Sequence, residues 1–382
     1  MKKKSIKFGC DGLTFDKELT LEYVNNGLVL PVDFALPGKC LNSCVYCGYY
    51  QVNTEGKLKT DEIKNIIGQL SELKAKSLRI VGEGEPFLRK DILELLEYAH
   101  SRGIKSVVFS CGDVLGNDEL AKKIHGISGE QIIGKLKELG VTIILKYEKE
   151  FQDDISGRQG YSAMRNTALA RLIKAGFNRE SPTRLAFGTV MTRYNKEYIP
   201  KVYEFALRQN IFPLLCPLMP IGKMRDKKER DKVKLNAEEV NEIAVELHKI
   251  NHRFGIPYRG PSDFPGTIPC FIAKFGMYLT DVGDIYPCVA EEKIGNTREM
   301  QLKDAWEMLK EYKKSHWPEM RSRGQCYMKR KMGIIPADYG EVIDSRVKEY
   351  LAKNRGEFNT ARKEKLGGQD WDYLAEPTIF HC

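Results

Sequence analysis

The sequence predicts an α/β fold, a partial barrel of six parallel strands followed by a smaller C-terminal unit. Three observations predict it. From residue 28 onward, short apolar runs alternate with amphipathic helical segments, the pattern of parallel βαβ units. The chain has 382 residues, 42% of them hydrophobic, which exceeds a typical single domain but suits one barrel-sized domain with an appendage. Late in the chain a Gly- and Pro-rich stretch, FGIPYRGPSDFPGTIP, follows a long helical pattern and opens a second region.

Strands are expected near 28–36 (LVLPVDFAL), 78–81 (LRIV), 105–110 (KSVVFS), 141–146 (VTIILK), 184–190 (RLAFGTV) and 211–216 (IFPLLC). Between them, Thr60 is the expected cap of a helix with Ile63, Ile66, Ile67, Leu70 and Leu73 on its apolar face. Gly176 is expected to end a helix built on Leu169, Leu172 and Ile173. These faces are core rather than sites. GKMRDKKERDKVK at 222–234 is the most polar run in mid-chain and marks a boundary. A long helix with Val240, Ile243, Ala244, Leu247 and Ile250 on one face follows it. The expected division is therefore a barrel at 1–225, a linking helix and loop at 226–265, and a C-terminal unit at 266–382.

Polar residues break the basic N-terminus before any apolar run long enough for a signal peptide or membrane span develops, so a soluble cytoplasmic protein is expected. In that compartment the ten cysteines serve as metal ligands or buried packing rather than disulfides. The net charge of +9 reads as a solvated basic surface, and no RNA-binding module or aromatic-interleaved basic stretch argues for nucleic acid.

Cys40-Leu-Asn-Ser-Cys44-Val-Tyr-Cys47 directly follows the first strand, at the end where barrel folds place their chemistry. Three close thiolates can converge on one metal centre and leave a coordination position for a non-protein ligand; a zinc knuckle borrowing a distant fourth ligand is the structural alternative. With Tyr46 just before the last cysteine, this C-x₃-C-x₂-C run resembles the hallmark of the radical S-adenosylmethionine (radical SAM) superfamily. The resemblance implies that Cys40, Cys44 and Cys47 hold a [4Fe–4S] cluster whose open iron chelates S-adenosylmethionine, with Tyr46 against the adenine. Gly82-Glu83-Gly84-Glu85-Pro86, after the second strand, looks like the family's GGEP motif. It implies that backbone and acidic side chain receive the methionine ammonium group. LKYEKEFQDDISGRQGYS (145–162) resembles the fourth-strand region, which makes Lys146 and Arg158 the candidates for the cofactor's carboxylate.

A second set, Cys270, Cys288 and Cys326, lies in the C-terminal unit. PCFIAKFGMYLTDVGDIYPC places the first two around a C-x₁₂-G-x₄-C arrangement, in which Met277–Thr280 and Ile285–Tyr286 can pair as a hairpin. This resembles the shorter, single-cluster twitch form of the SPASM domains. It implies a small α+β unit holding an auxiliary [4Fe–4S] cluster, with Cys382 or another residue as fourth ligand or with an open iron left for the substrate. Cys111 and Cys216, which end the third and sixth strands, could donate hydrogen to a substrate radical, although free cysteine often simply packs.

The resemblance implies reductive cleavage of S-adenosylmethionine by one electron from an external donor such as flavodoxin or ferredoxin. Hydrogen abstraction would follow from a polar small molecule of sugar, aminocyclitol or nucleoside type, for net oxidation or epimerisation. The alternative is a maturase acting on a ribosomally made peptide. Only 39 residues precede Cys40, which leaves little length for a leader-binding domain, and the second cysteine set is reduced.

Overall fold

The computed structural model describes residues 9–36, 38–47, 56–82, 84–256, 258, 271–289, 291–320, 329 and 331–354. Among them nine strands form one sheet in the order β6-β5-β4-β3-β2-β1-β7-β8-β9. The first six are Pro31–Ala35, Ser77–Val81, Lys105–Ser110, Thr142–Lys146, Leu185–Met191 and Phe212–Pro217. They pair in parallel, each with the next. All six expected strands are present, with bounds shifted by up to three residues.

Alternation along the strands divides the sheet into two faces. Val32, Phe34, Leu78, Ile80, Val108, Ile143, Leu145 and Phe187 lie in the main core under the helices. Helix Thr60–Glu72 buries Ile63, Ile66, Ile67 and Leu70 there, at the i, i+3, i+4, i+7 spacing of one helix face. Each such side chain contributes about 1.5–3 kcal/mol of burial. Its start differs from expectation. The backbone N–H of Lys59 is capped by Glu62 Oε2 at 2.8 Å, while Thr60, inside the first turn, donates to Asp91 Oδ2 at 2.5 Å and ties the helix to the next crossover.

The opposite face is the inner one. Its lower half is filled by Val107, Ile144, Ala186, Phe212 and Leu214, closed from below by Cys10 and Leu13. Higher up, its residues Val81, Phe109, Lys146, Gly188, Val190 and Cys216 are only partly buried, although they stand within strands. They line a chamber that opens at the C-terminal ends of the strands.

The expected hairpin forms as β7 (Met277–Leu279) and β8 (Asp284–Tyr286), with β9 (Gly295–Asn296) beyond. Its first strand also pairs in parallel with β1, so the hairpin extends the barrel sheet. The free edge of β1 supplies the pairing groups, and a short strand beside it protects that edge. The polar run at 222–234 also departs from a simple linker. Asp226 accepts from Glu229 N at 2.9 Å and caps a helix, Lys227–Val233, within which Arg230 is buried and donates to Met224 O at 2.8 Å. The long helix expected next spans Ala237–Arg253 and packs against Tyr339–Lys353. No helix among the described residues is long and apolar enough to cross a membrane.

Candidate functional site

The loop after β1 is held by three other loops at the open end of the sheet. Glu85 N donates to Lys39 O at 2.7 Å, which zips the loop after β2 to the residue preceding Cys40. Ser43 N donates to Ser156 O at 2.8 Å and Val45 N to Ile155 O at 3.0 Å, so the segment after β4 lies along the triad. From beyond β6, Lys223 Nζ donates to Cys44 O at 3.4 Å. Two glycines allow this closeness. A Cβ on Gly84 (φ +137°) would stand 2.7 Å from Lys39 O, and one on Gly157 (φ +67°) would stand 2.8 Å from Ser43 O. Gly84→Ala should therefore displace the loop carrying Cys40 and cost about 1–3 kcal/mol of local strain. Reduced iron retention after anaerobic reconstitution, with near-native circular dichroism, is the expected result.

Cys44 is buried, Cys47 half-buried and Cys40 exposed at its surface edge. Desolvation by the surrounding loops pushes the pKa of Cys40 up to about 12 although one edge of the residue is exposed, and burial raises that of Cys44, the latter opposed by the Lys146 ammonium. As metal-free thiols they are held protonated, and metal binding would release those protons. Among the described residues no three His, Cys, Asp or Glu side chains converge on a single ion. A cluster asks for a different arrangement, with one thiolate to each iron.

Unpartnered polar groups surround the triad. Both side-chain polar atoms of Asn42 and the Nζ of Lys146 are buried without a hydrogen bond. Lys146 Nζ lies 3.8 Å from Glu148 Oε2, 5.6 Å from the Tyr46 ring centre and 5.0 Å from that of Tyr161. The orphaned Asn42 amide costs about 1–3 kcal/mol unless a ligand satisfies it, whereas Lys146 keeps Glu148 as an ion-pair partner. A ligand that presents a carboxylate and further hydrogen-bonding groups fits this set, as the amino-acid end of S-adenosylmethionine would. Tyr46 is held from behind, its hydroxyl donating to Glu148, which also accepts from Gln152. Arg165, fully buried, braces that network by donating to Gln152 Oε1 at 2.8 Å and to the carbonyls of Lys149 and Glu150 at 2.8 and 2.6 Å.

Three expected roles look different in place. Glu85, read as an acceptor for an ammonium group, is turned into the protein. Its carboxylate accepts from Phe87 N at 3.1 Å, Ser110 Oγ at 2.8 Å and Cys111 N at 2.6 Å, and burial raises its pKa to about 6. It clasps the loop after β2 to the end of β3. Arg158 presents its fork to the buried Asp113, with Nη1 at 3.1 Å from Oδ2 and Nη2 bonded to Oδ1. Cys111 is buried and donates to Asp113 Oδ2 at 3.0 Å, whereas Cys216 stands half-buried on the chamber wall. Glu83, Cys270, Cys326 and Cys382 lie outside the described residues. Cys288 follows β8 and packs against the cluster of Ala35, Ile272 and Tyr278, of which Ala35 and Tyr278 belong to the inner face of the sheet.

Asp113, Glu148, Gln152 and Asn42 were not singled out from the sequence. Glu148 carried one signal, since it lies two residues beyond Lys146 and shares its strand parity.

A partial parallel barrel with a C-x₃-C-x₂-C loop at its open end is the arrangement that the resemblance to the radical SAM class implied. The family model "Radical SAM superfamily" matches residues 36–206, and together with the relatives it supports that superfamily for this chain. The chain is 23% identical over 328 residues to the AdoMet-dependent heme synthase of Methanosarcina barkeri, covering 77% of this chain and 86% of that protein. It is 26% identical over 285 residues to the mycofactocin maturase MftC of Mycolicibacterium smegmatis, covering 70% of this chain and 67% of that one. The fold is similar to that of anSMEcpe with bound AdoMet, with a TM-score of 0.56 and 15% identity over 87% of this chain and 98% of that chain.

Proposed function

We propose that this protein is a radical SAM enzyme that abstracts hydrogen from a substrate held in the inner chamber of the barrel. The observation that carries this is the suspension of the Cys40–Cys47 loop from the loops after β2, β4 and β6, over a chamber whose upper wall is partly open. Cys40, Cys44 and Cys47 hold the [4Fe–4S] cluster, and the bound cluster and S-adenosylmethionine supply the one-electron cleavage that yields a 5′-deoxyadenosyl radical. Lys146 and Asn42 bind the polar end of S-adenosylmethionine, Tyr46 flanks its adenine, and the backbone of Gly82 and Gly84 takes its ammonium group. Arg158 acts through Asp113 as a positioning residue. Cys216 is the better-placed hydrogen donor of the two strand-end cysteines, because the thiol of Cys111 is already bonded to Asp113.

The reaction we favour is a net oxidation or epimerisation, fed by an external one-electron donor such as flavodoxin or ferredoxin. Cys270, Cys288 and Cys326, with Cys382 or another residue as fourth ligand, would hold an auxiliary [4Fe–4S] cluster in a unit spanning 266–382, which in an oxidation would supply an acceptor for the substrate's electron. The relatives include a heme synthase, PqqA peptide cyclases, a mycofactocin maturase and probable GTP 3′,8-cyclases, so their names span peptides, a tetrapyrrole product and a nucleotide. The peptide reading therefore stands level with the polar small molecule. Iron counting after anaerobic reconstitution tests the two-cluster arrangement. About eight irons per chain are expected in the wild type and about four in Cys288→Ala. Four in both would remove the auxiliary cluster.

A further inference from the structure

Asp33 sits at mid-strand in β1, and the sheet register places it opposite Arg79 of β2 on one side and Tyr278 of β7 on the other. All three belong to the inner face. Arg79 Nε donates to Asp33 Oδ1 at 2.6 Å. The pair lies two residues below the ends of its strands, so about 7 Å beneath the loops that carry the cysteine triad and Gly82–Gly84. Above it the wall is largely apolar, built from Val81, Phe109, Val190 and Cys216.

A buried Arg–Asp pair that serves only the fold gains most when both carboxylate oxygens meet the guanidinium fork and every remaining donor is satisfied. This pair does neither. Asp33 takes the Nε–H alone, and among the described residues neither Nη1 nor Nη2 of Arg79 has a hydrogen-bond partner. The Asp33 side chain keeps 23% of its surface exposed and that of Arg79 6%. Held at Nε, the guanidinium keeps its end-on edge free, two parallel N–H groups at the spacing of a second carboxylate. The other inner-face cation near the mouth, Lys146, is already coupled to Glu148 and lies across the chamber on β4.

From this we infer that Arg79, oriented by Asp33, is a substrate anchor that binds a carboxylate group, so the substrate class is a carboxylic acid with an apolar body that fills the chamber above it. The inference rests on the chamber being the substrate site. It holds for a peptide carboxylate and a small organic acid alike, and excludes a neutral sugar as the anchored group.

The test is equilibrium binding of 4-phenylbutyrate and of its amide, 4-phenylbutyramide, to the anaerobically reconstituted protein with S-adenosylmethionine present. The acid is expected to bind at least about tenfold more tightly than the amide, the range of a charge-assisted pair. In Arg79→Gln the acid should fall to the affinity of the amide, and Arg79→Lys should keep part of the difference. Equal affinity of acid and amide in the wild type, or no binding of either, overturns the anchor. So does an unchanged preference in Arg79→Gln. The wild-type comparison decides the matter even where a variant fails to fold. Binding does not require S-adenosylmethionine cleavage, so failure of the radical chemistry shows separately, as absence of 5′-deoxyadenosine from the wild type.

Discussion

Replacing Glu148 by alanine should destabilise the protein by about 3–5 kcal/mol, the range for stripping one partner from a buried ionic pair. Glu148 is fully buried and answers three groups at once: the Lys146 ammonium at 3.8 Å, the Tyr46 hydroxyl and the Gln152 amide. Its removal strands a buried cation and releases the tyrosine that holds the triad loop against β4. Thermal or denaturant unfolding measures the loss. A second substitution, Lys146→Met, removes the stranded charge. The double variant should recover stability, with a coupling between the two sites of about 1–3 kcal/mol. It should bind S-adenosylmethionine poorly, because the cation we propose for its carboxylate has gone. A Glu148→Ala variant within 1 kcal/mol of the wild type would show that the network is slack and that Tyr46 is fixed by other means.

Much of the scaffold around this network was legible in the sequence. The runs at 105–110 and 141–146 are short, β-branched and bounded by helical patterns, so their identity as parallel strands follows from periodicity alone. The cysteine triad was equally plain, because the spacing of its ligands is local. What escaped were pairings across long separations. Tyr46 and Glu148 lie 102 positions apart, and Arg158 and Asp113 lie 45 apart. Periodicity assigns a residue to a face without naming what stands opposite. Glu85 illustrates the same limit. Its motif placed it correctly in the loop after β2, but the direction of its carboxylate depends on donors from Ser110 and Cys111, at the end of another strand. The hairpin at 277–286 was visible, whereas its union with β1 depends on an open sheet edge that only the assembled fold defines. Asp33 and Arg79 passed unnoticed because a charge within a strand ordinarily marks a solvent face. Here that face is the inside of the barrel.

Simultaneous Cys40→Ala, Cys44→Ala and Cys47→Ala substitution should have the largest functional effect, removing about four irons per chain and reducing S-adenosylmethionine cleavage to background. The fold should persist, since the triad loop lies outside the main core and is held by backbone hydrogen bonds and by Tyr46 rather than by the thiols. Near-native circular dichroism together with lost iron would separate the role of the ligands from a general collapse.

The most direct measurement is the yield of 5′-deoxyadenosine from S-adenosylmethionine when the anaerobically reconstituted wild-type protein is reduced, with the triple-alanine variant beside it. The account predicts 5′-deoxyadenosine from the wild type and none above background from the variant. Intact S-adenosylmethionine in both samples, with stoichiometric zinc in place of iron in the wild type, would contradict it.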